Sequence, residues 1–279
     1  MNGKKWRGRN MITIEDLSKR FGKKKALDGF SFEFNKGIYG ILGTNGAGKT
    51  TLIRCIAGMY DYKGRINIDD GNTIGYLPQQ SGVFPNLTVF ENMRFYAELK
   101  HINKAKQEDA IEKAIRLVNL EDNIHTKGRK LSGGMKRRVG IAEALLGNPS
   151  ILLFDEPTVG LDPEERLRFK QIIRGLKKEA TILMSTHIVE DVEAVADSII
   201  ILDCGCIRAS GSSDDIKNIA NGKVFEIAPD KVNEKDYVIR EEDKDGRIIS
   251  RIITNNPREA AFLAKPTVED GYICSIKRI

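Results

Sequence analysis

The run Gly43-Thr44-Asn45-Gly46-Ala47-Gly48-Lys49-Thr50-Thr51 carries the densest chemistry in the chain. From Gly43 to Thr50 it fits the pattern G-x-x-x-x-G-K-[ST]. The glycines let the backbone curl until successive N–H groups face inward and close on a phosphate, and a following helix adds its positive N-terminal end. Lys49 would reach the β- and γ-phosphates of a nucleotide, and the Thr50 hydroxyl would complete an oxygen shell around Mg²⁺. The context is the required one. An apolar run at 38–42 reads as a buried strand, and 49–58 has helical spacing through Leu52, Ile53 and Ile56. A glycine-rich loop without a chemical task would not need Lys-Thr at this offset.

Other polar residues fall where strands end. Asp155 and Glu156 close the apolar run 151–156. Asp155 would hold Mg²⁺ directly or through water, and Glu156 would orient and deprotonate an attacking water. Two acids after a strand also suit a plain loop cap, and it is the phosphate loop that favours catalysis. His187 follows a strand end too, where it would sense a γ-phosphate or serve structure, whereas His101 and His125 read as structural. Gln79 sits on a loop after Pro78, where a solvated glutamine is the default. Ser132-Gly133-Gly134 at a helix start is a second anion-binding device, far in sequence from the first. Closure of that device over the nucleotide fits one chain or two. Phe21, in a basic connection, would pack in the core or stack on a flat ring.

A scaffold must bring these strand ends together. With 279 residues, 41% hydrophobic and 30% charged, the chain suits a globular protein with one large domain and a small one. No apolar run approaches the roughly 18 to 20 residues that cross a bilayer, and no signal-peptide pattern opens the chain, so a membrane role passes through a partner. Strands are expected at 11–15, around Phe30, Phe32 and Phe34, at 65–68, 73–76, 181–184 and 198–202. Helices are expected at 88–99 behind Thr88, at 104–119, at 131–147, after Pro163 with Asp162 as cap, and at 212–220. Strands alternating with helices predict an α/β fold with a mostly parallel sheet and ligands at the carboxyl ends of its strands.

The remainder is less regular. Lys4, Lys5, Arg7 and Arg9 beside Trp6 make residues 1–10 a basic tail, read as solvated, and the net charge of +6 is modest. From 223 the character changes. Short strands at 224–227 and 247–253 flank a charged segment (233–247), 257–264 looks helical and 272–276 looks like a last strand. Residues 223–279 are therefore expected to form a small α+β domain. Cys55, Cys204, Cys206 and Cys274 lack zinc spacing and read as reduced thiols.

Taken together these motifs resemble the nucleotide-binding domain of ATP-binding cassette (ABC) proteins, over 11–222, with a helical subdomain at about 80–147. Gly43 to Thr50 matches the Walker A stretch, Gln79 the Q-loop, and Leu131-Ser132-Gly133-Gly134-Met135 the signature. Asp155-Glu156 matches Walker B, Gly160-Leu161-Asp162 the D-loop, and His187 the switch histidine. The resemblance implies a P-loop NTPase cassette with a mostly parallel core sheet, antiparallel N-terminal strands, a helical insertion and, here, a small C-terminal α+β extension. It also implies ATP and Mg²⁺ as cofactors, with Thr50, Gln79 and Asp155 toward the metal. Phe21 would lie on adenine, and Thr44, Asn45, Gly46, Ala47, Thr51 and Asp162 would touch the nucleotide. Glu156 would be the general base, with Lys49, Gln79 and His187 beside it. Ser132, Gly133 and Gly134 would grip the γ-phosphate of a second copy, so that two ATPs are sandwiched in a head-to-tail dimer. Met135 stands where the pattern usually has glutamine, and Phe21 where tyrosine is commoner.

Within the family, Lys136-Arg137-Arg138 after the signature and the extension through Pro266-Thr267-Val268-Glu269-Asp270 resemble separately encoded ATPases of bacterial drug, peptide or ion exporters. The expectation is a cytoplasmic subunit, peripheral on the inner face of the membrane, that powers an integral membrane permease received behind Gln79 by residues 81–96, with no nucleic-acid partner. A soluble ABC ATPase on ribosome or DNA usually carries two cassettes or a long coiled coil, and neither is seen. An unrelated P-loop kinase or GTPase leaves the signature loop unexplained.

Overall fold

The computed structural model describes residues 12–80, 82–257 and 261–279, so the expectations for the 1–10 tail, Met11 and Ser81 lie outside the described residues. The chain opens with β1 (Ile12–Phe21) and β2 (Lys24–Phe34), an antiparallel pair, followed by β3 (Gly37–Leu42), α1 (Lys49–Ile56), β4 (Lys63–Ile68) and β5 (Ile74–Leu77). A helical stretch holds α2 (Val89–Leu99), α3 (Lys104–Leu117) and α4 (Gly133–Leu145). Then β6 (Ile151–Asp155), α5 (Pro163–Leu176), β7 (Thr181–Thr186), α6 (Val189–Val195), β8 (Ser198–Asp203), β9 (Cys206–Gly211) and α7 (Ser213–Ile219) complete the cassette. The chain ends with β10 (Val224–Ile227), β11 (Tyr237–Lys244), β12 (Arg247–Ile253), β13 (Phe262–Leu263) and α8 (Val268–Lys277).

The central sheet runs β5-β6-β7-β3-β8-β9, parallel except for β9. Its inner strands are apolar throughout because both faces are covered. In β3, Ile38 and Leu42 join the core shared with α2 to α7, while Tyr39 and Ile41 face the opposite core. That second core takes Leu52, Ile53 and Ile56 of α1 and Ile12, Ile14, Leu17, Leu27, Phe30 and Phe34 of the antiparallel sheet β2-β1-β4. The phosphate-loop helix is thus clamped between two sheets. Each fully buried Leu, Ile or Phe is worth about 1.5–3 kcal/mol relative to exposure, so this clamp is a stiff base for the loop.

The helical stretch is set by its caps. Thr88 and Glu91 form a capping box at the start of α2, Asn103 caps α3, and Ser132 caps α4 by accepting from the Met135 N–H; each such cap is worth about 1 kcal/mol. At the other end of α4, the Lys100 ammonium donates to the carbonyls of Glu143, Ala144 and Leu146. Burial pushes the Lys100 amine down to about 8.

Several expectations are corrected. Residues 272–276 belong to α8 and are not a strand: Thr267 and Asp270 make a capping box at its start, which outweighs the strand preference of Tyr272 and Ile273. Phe262–Leu263 is a strand paired with β10 rather than part of a helix at 257–264, of which 258–260 lie outside the described residues. The charged segment 233–247 contains β11, whose polar side chains sit on an exposed edge of the sheet β11-β12-β10-β13. Two elements, α6 and β9, were not anticipated, and β1 runs on to Phe21. The four cysteines are free thiols.

Helix α8 joins the C-terminal sheet to the cassette. Val268 enters the cassette core with Tyr272 and Ile276 against it, while Cys274 and Ile273 face the core shared with Val224 and Ile253. Gly271 makes the contact with α7 possible, since a Cβ there would lie 1.9 Å from the Ile216 carbonyl oxygen. Among the described residues no helix is long and apolar enough to cross a membrane.

Candidate active site

The ends of β3, β6 and β7 lie side by side, and this register assembles the site. Leu42 pairs with Thr186 and Asp155 with Ser185. The Gly43 N–H reaches the Thr186 carbonyl at 3.4 Å, and the chain then curls through Thr44, Asn45, Gly46 and Ala47, with the Ala47 N–H on the Thr44 carbonyl. Gly48 precedes α1 at φ 113, and a Cβ there would lie 2.5 Å from the Ala26 carbonyl oxygen, so both conformation and space call for glycine. No side chain caps α1, which leaves its first N–H groups directed at the loop's interior.

Lys49 is 5% exposed. Its ammonium donates to the carbonyls of Gly43 at 2.8 Å and Thr44 at 3.2 Å, and lies 3.1 Å from Glu156 Oε1. A cation held this way is aimed into the loop without being neutralised by it. Asp155 is fully buried. Its Oδ1 accepts from Thr50 Oγ1 at 2.9 Å and from Ser185 Oγ at 2.7 Å, while its Oδ2 is buried with no hydrogen-bond partner. An orphaned carboxylate oxygen beside a threonine hydroxyl suits a hard cation. Among the described residues no three His, Cys, Asp or Glu side chains gather around one point. Such a cation would therefore take the rest of its shell from groups other than carboxylates, thiols and imidazoles.

Glu156 occupies a strained turn at φ 47. Its N–H is shared by the Ser185 carbonyl and hydroxyl, each at 3.1 Å, and its Oε2 lies 3.0 Å from His187 Nδ1. Behind the turn, Arg137 of α4 is 6% exposed and donates only to backbone carbonyls, those of Pro78, Gln79, Asp155, Glu156 and Pro157. Burial pushes its guanidinium down to about 10, against the pull of Asp155, Tyr76 and Glu156.

One cleft of about 370 Å³ is lined by Phe21, Asn45, Gly46, Gly48, Lys49, Thr50, Thr51, Gln79 and Glu156, together with Lys24 and Ala26. Phe21 is 44% exposed and meets Tyr60 edge-on at 5.3 Å, with the Lys19 ammonium 5.1 Å from its ring centre. An aromatic at a strand end with an open face suits stacking rather than core packing. Gly43, Thr44, Ala47, Asp155 and His187 are not among its lining residues, and two further expected groups also lie outside it. Ser132 and Gly133 are exposed at the start of α4, and Asp162 is taken up as the cap of α5, accepting from the Glu165 N–H. Lys24, Ala26, Ser185 and Arg137 had not been given a place in the site. Ser185 is two residues before His187 on the strand beside Asp155, a signal that only strand pairing makes legible.

The profile described as "ABC transporter" matches residues 27–159. Over 264 residues the chain is 34% identical to the ABC transporter ATP-binding protein YxlF of Bacillus subtilis, covering 90% of this chain and 86% of that one. It is 32% identical to the linearmycin resistance ATP-binding protein LnrL of the same organism, over 80% of this chain and 76% of that one. It is 34% identical to the Nod factor export ATP-binding protein I of Rhizobium etli, over 77% and 73%. Among solved structures, an ATP-binding subunit of an ABC transporter superposes with a TM-score of 0.67 at 31% identity, covering 75% of this chain and 92% of its own. A dimeric bacterial ABC transporter cassette superposes with a TM-score of 0.65 at 25% identity, over 72% and 98%. A phosphate loop clamped between two sheets, an acid pair at the end of β6 and this breadth of likeness lead to one conclusion: the chain belongs to the ABC transporter family, among its ATP-binding subunits, and is an ATPase.

Proposed function

We propose that this ATPase drives export through a separately encoded integral membrane permease, two copies closing head to tail over two ATP molecules. The observation that carries the paired reading is the start of α4, where Ser132 and Gly133 are exposed and, with Gly134, lie outside the cleft of their own chain as a phosphate cradle would. A second copy supplies the missing wall, as the dimeric cassette among the similar structures supports. Export is supported by the roles of similar proteins, linearmycin resistance and Nod factor export. The permease would dock behind Gln79. There Phe84 and Phe95 are about two-fifths exposed and stack edge to face at 4.9 Å, with Tyr96 5.3 Å from Phe95. Such a knot of half-exposed rings suits an apolar helix of a partner. The subunit would then work at the cytoplasmic face of the membrane.

In this reading the loop N–H groups from Gly43 to Thr51 and Lys49 Nζ bind the β- and γ-phosphates, while Phe21 lies on adenine. Thr50, Asp155 and Gln79 would hold Mg²⁺, which neutralises developing phosphate charge when bound. Glu156 takes the proton of the attacking water on a carboxylate oxygen, and His187 Nδ1 fixes the other oxygen. Ser132, Gly133, Gly134 and Asp162 approach from the partner copy.

The test uses Glu156→Gln. Turnover is expected to fall by about two to four orders of magnitude, the usual worth of a general base, while ATP holds the variant as a dimer on size exclusion. A variant that binds ATP and stays monomeric rules out the sandwich. Recovery of the chain from native membranes with an integral protein of about six spans of roughly 20 apolar residues supports the permease. Recovery with ribosomes or DNA instead supports the soluble alternative.

A further inference from the structure

Arg137 is placed unlike any other buried cation of the described cassette. A guanidinium has five N–H donors in a fixed planar fork. Here Nε donates to the Pro157 carbonyl at 2.8 Å, Nη1 to Pro78 at 2.6 Å and Gln79 at 3.0 Å, and Nη2 to Asp155 at 3.0 Å and Glu156 at 2.9 Å. All five donors are used, and every acceptor is a main-chain carbonyl. Two acceptors follow β5, one is the last residue of β6 and two follow it; β5 and β6 are neighbouring parallel strands, so the fork plugs the gap where their chains diverge.

The acceptors are residues the reaction would need held still. Glu156 stands at φ 47, and its N–H is tied to Ser185 on one side while its carbonyl is tied to Arg137 on the other. The direction of its carboxylate is therefore set at both ends of the residue. The Gln79 main chain is fixed by the same guanidinium. Arg137 lies five residues after Ser132 and four after Gly133 on one continuous helix. A rigid rod thus carries the exposed phosphate cradle on its first turn and the grip on Glu156 and Gln79 on its second. The neighbouring Arg138 points elsewhere, to the carbonyls of Val118 and Asn119 and to Glu165.

We infer that Arg137 is a positioning residue for ATP hydrolysis, aiming Glu156 and Gln79 of one site and tying their main chain to the helix whose cradle serves the opposite site; the second half rests on the paired reading above. Lysine presents three donors at a single point and cannot span both strand ends, and glutamine presents two. The structure therefore requires the fork as well as the charge.

The full chain is tested as wild type, Arg137→Lys and Arg137→Gln. ATP affinity, read by equilibrium titration, stays within about two-fold, because the phosphate loop and Lys49 are untouched. The kcat falls by about 10- to 100-fold in Arg137→Gln, the range that a misplaced catalytic group costs, and by less in Arg137→Lys, with KM nearly constant. Thermal unfolding accompanies each assay, and where Arg137→Gln does not fold the split is read on Arg137→Lys. An unchanged kcat, or a loss that follows only the unfolded fraction, overturns the inference. Glu156→Gln with Arg137 intact reads the pairing separately. If it remains monomeric with ATP, the link to an opposite site falls; if it dimerises while Arg137→Gln keeps full kcat, the positioning role alone is wrong.

Discussion

The nucleotide cleft and the C-terminal sheet both bury charge, and they treat it in opposite ways. In the cleft, Asp155 keeps one oxygen without a partner, and Lys49 divides its ammonium between the Gly43 and Thr44 carbonyls and Glu156 Oε1 at 3.1 Å. In the C-terminal unit, Arg251 of β12 meets Asp270 of α8 through two bonds and also donates to the Lys265 carbonyl. Asp270 in turn accepts from the Thr267 N–H and hydroxyl. One region leaves a buried carboxylate oxygen unpaired; the other pairs Arg251 and Asp270 fully and locks a helix to a sheet. Unmatched buried charge costs stability and persists where binding repays it. The comparison therefore assigns chemistry to the first region and attachment to the second.

The strongest way to break this contrast is Lys49→Ala. ATP affinity is expected to fall at least about 100-fold, the loss of two charge-assisted hydrogen bonds at about 1.5–3 kcal/mol each. An unchanged affinity would mean that the loop cation does not serve phosphate. Asp270→Ala should do the reverse. Leaving Arg251 buried with Glu226 at 3.6 Å as its remaining ion pair is expected to cost about 3 kcal/mol in denaturant unfolding, while nucleotide affinity stays level. If affinity drops as much as stability, the two regions are not separable in this sense.

Acid provides a milder test. Burial acts to raise the Asp270 pKa, but the bonds from Arg251 and Thr267 outweigh it and hold the carboxyl below its ordinary value of 3.8. A carboxylate depressed on folding contributes stability that is complete above the unfolded value and is lost as pH falls through the folded one. Wild type should therefore lose stability on acidification below about pH 4, more steeply than Asp270→Asn, as followed by circular dichroism. Equal slopes would remove Asp270 from the account. The smallest effect is expected from Phe21→Ala, where losing an aromatic face worth about 1 kcal/mol should raise the KM for ATP about five-fold with kcat intact.

Much of the site was legible because its residues are local in sequence. The loop from Gly43 to Thr50 declares its own conformation, Asp155 and Glu156 terminate an apolar strand, and Thr88, Ser132, Asp162 and Ser212 cap helices through bonds spanning three residues. The C-terminal unit was misread for a related reason. Apolar runs near Tyr272 look alike as strand or helix until a cap and a packing partner decide, and the partner here is α7, far back in the chain.

The sequence alone determined which groups could bind a triphosphate and activate water, since glycine, lysine, threonine and carboxylate act through their own chemistry at short spacing. Tertiary structure alone decided which strands lie side by side. That is why Ser185 came to hold both Asp155 and Glu156, why Arg137 came to grip five carbonyls at the ends of two strands, and why Ser132 and Gly133 stand exposed at the head of α4. Such contacts join residues 18 to 59 positions apart, and no local pattern encodes a hydrogen bond to a main-chain carbonyl that every residue possesses.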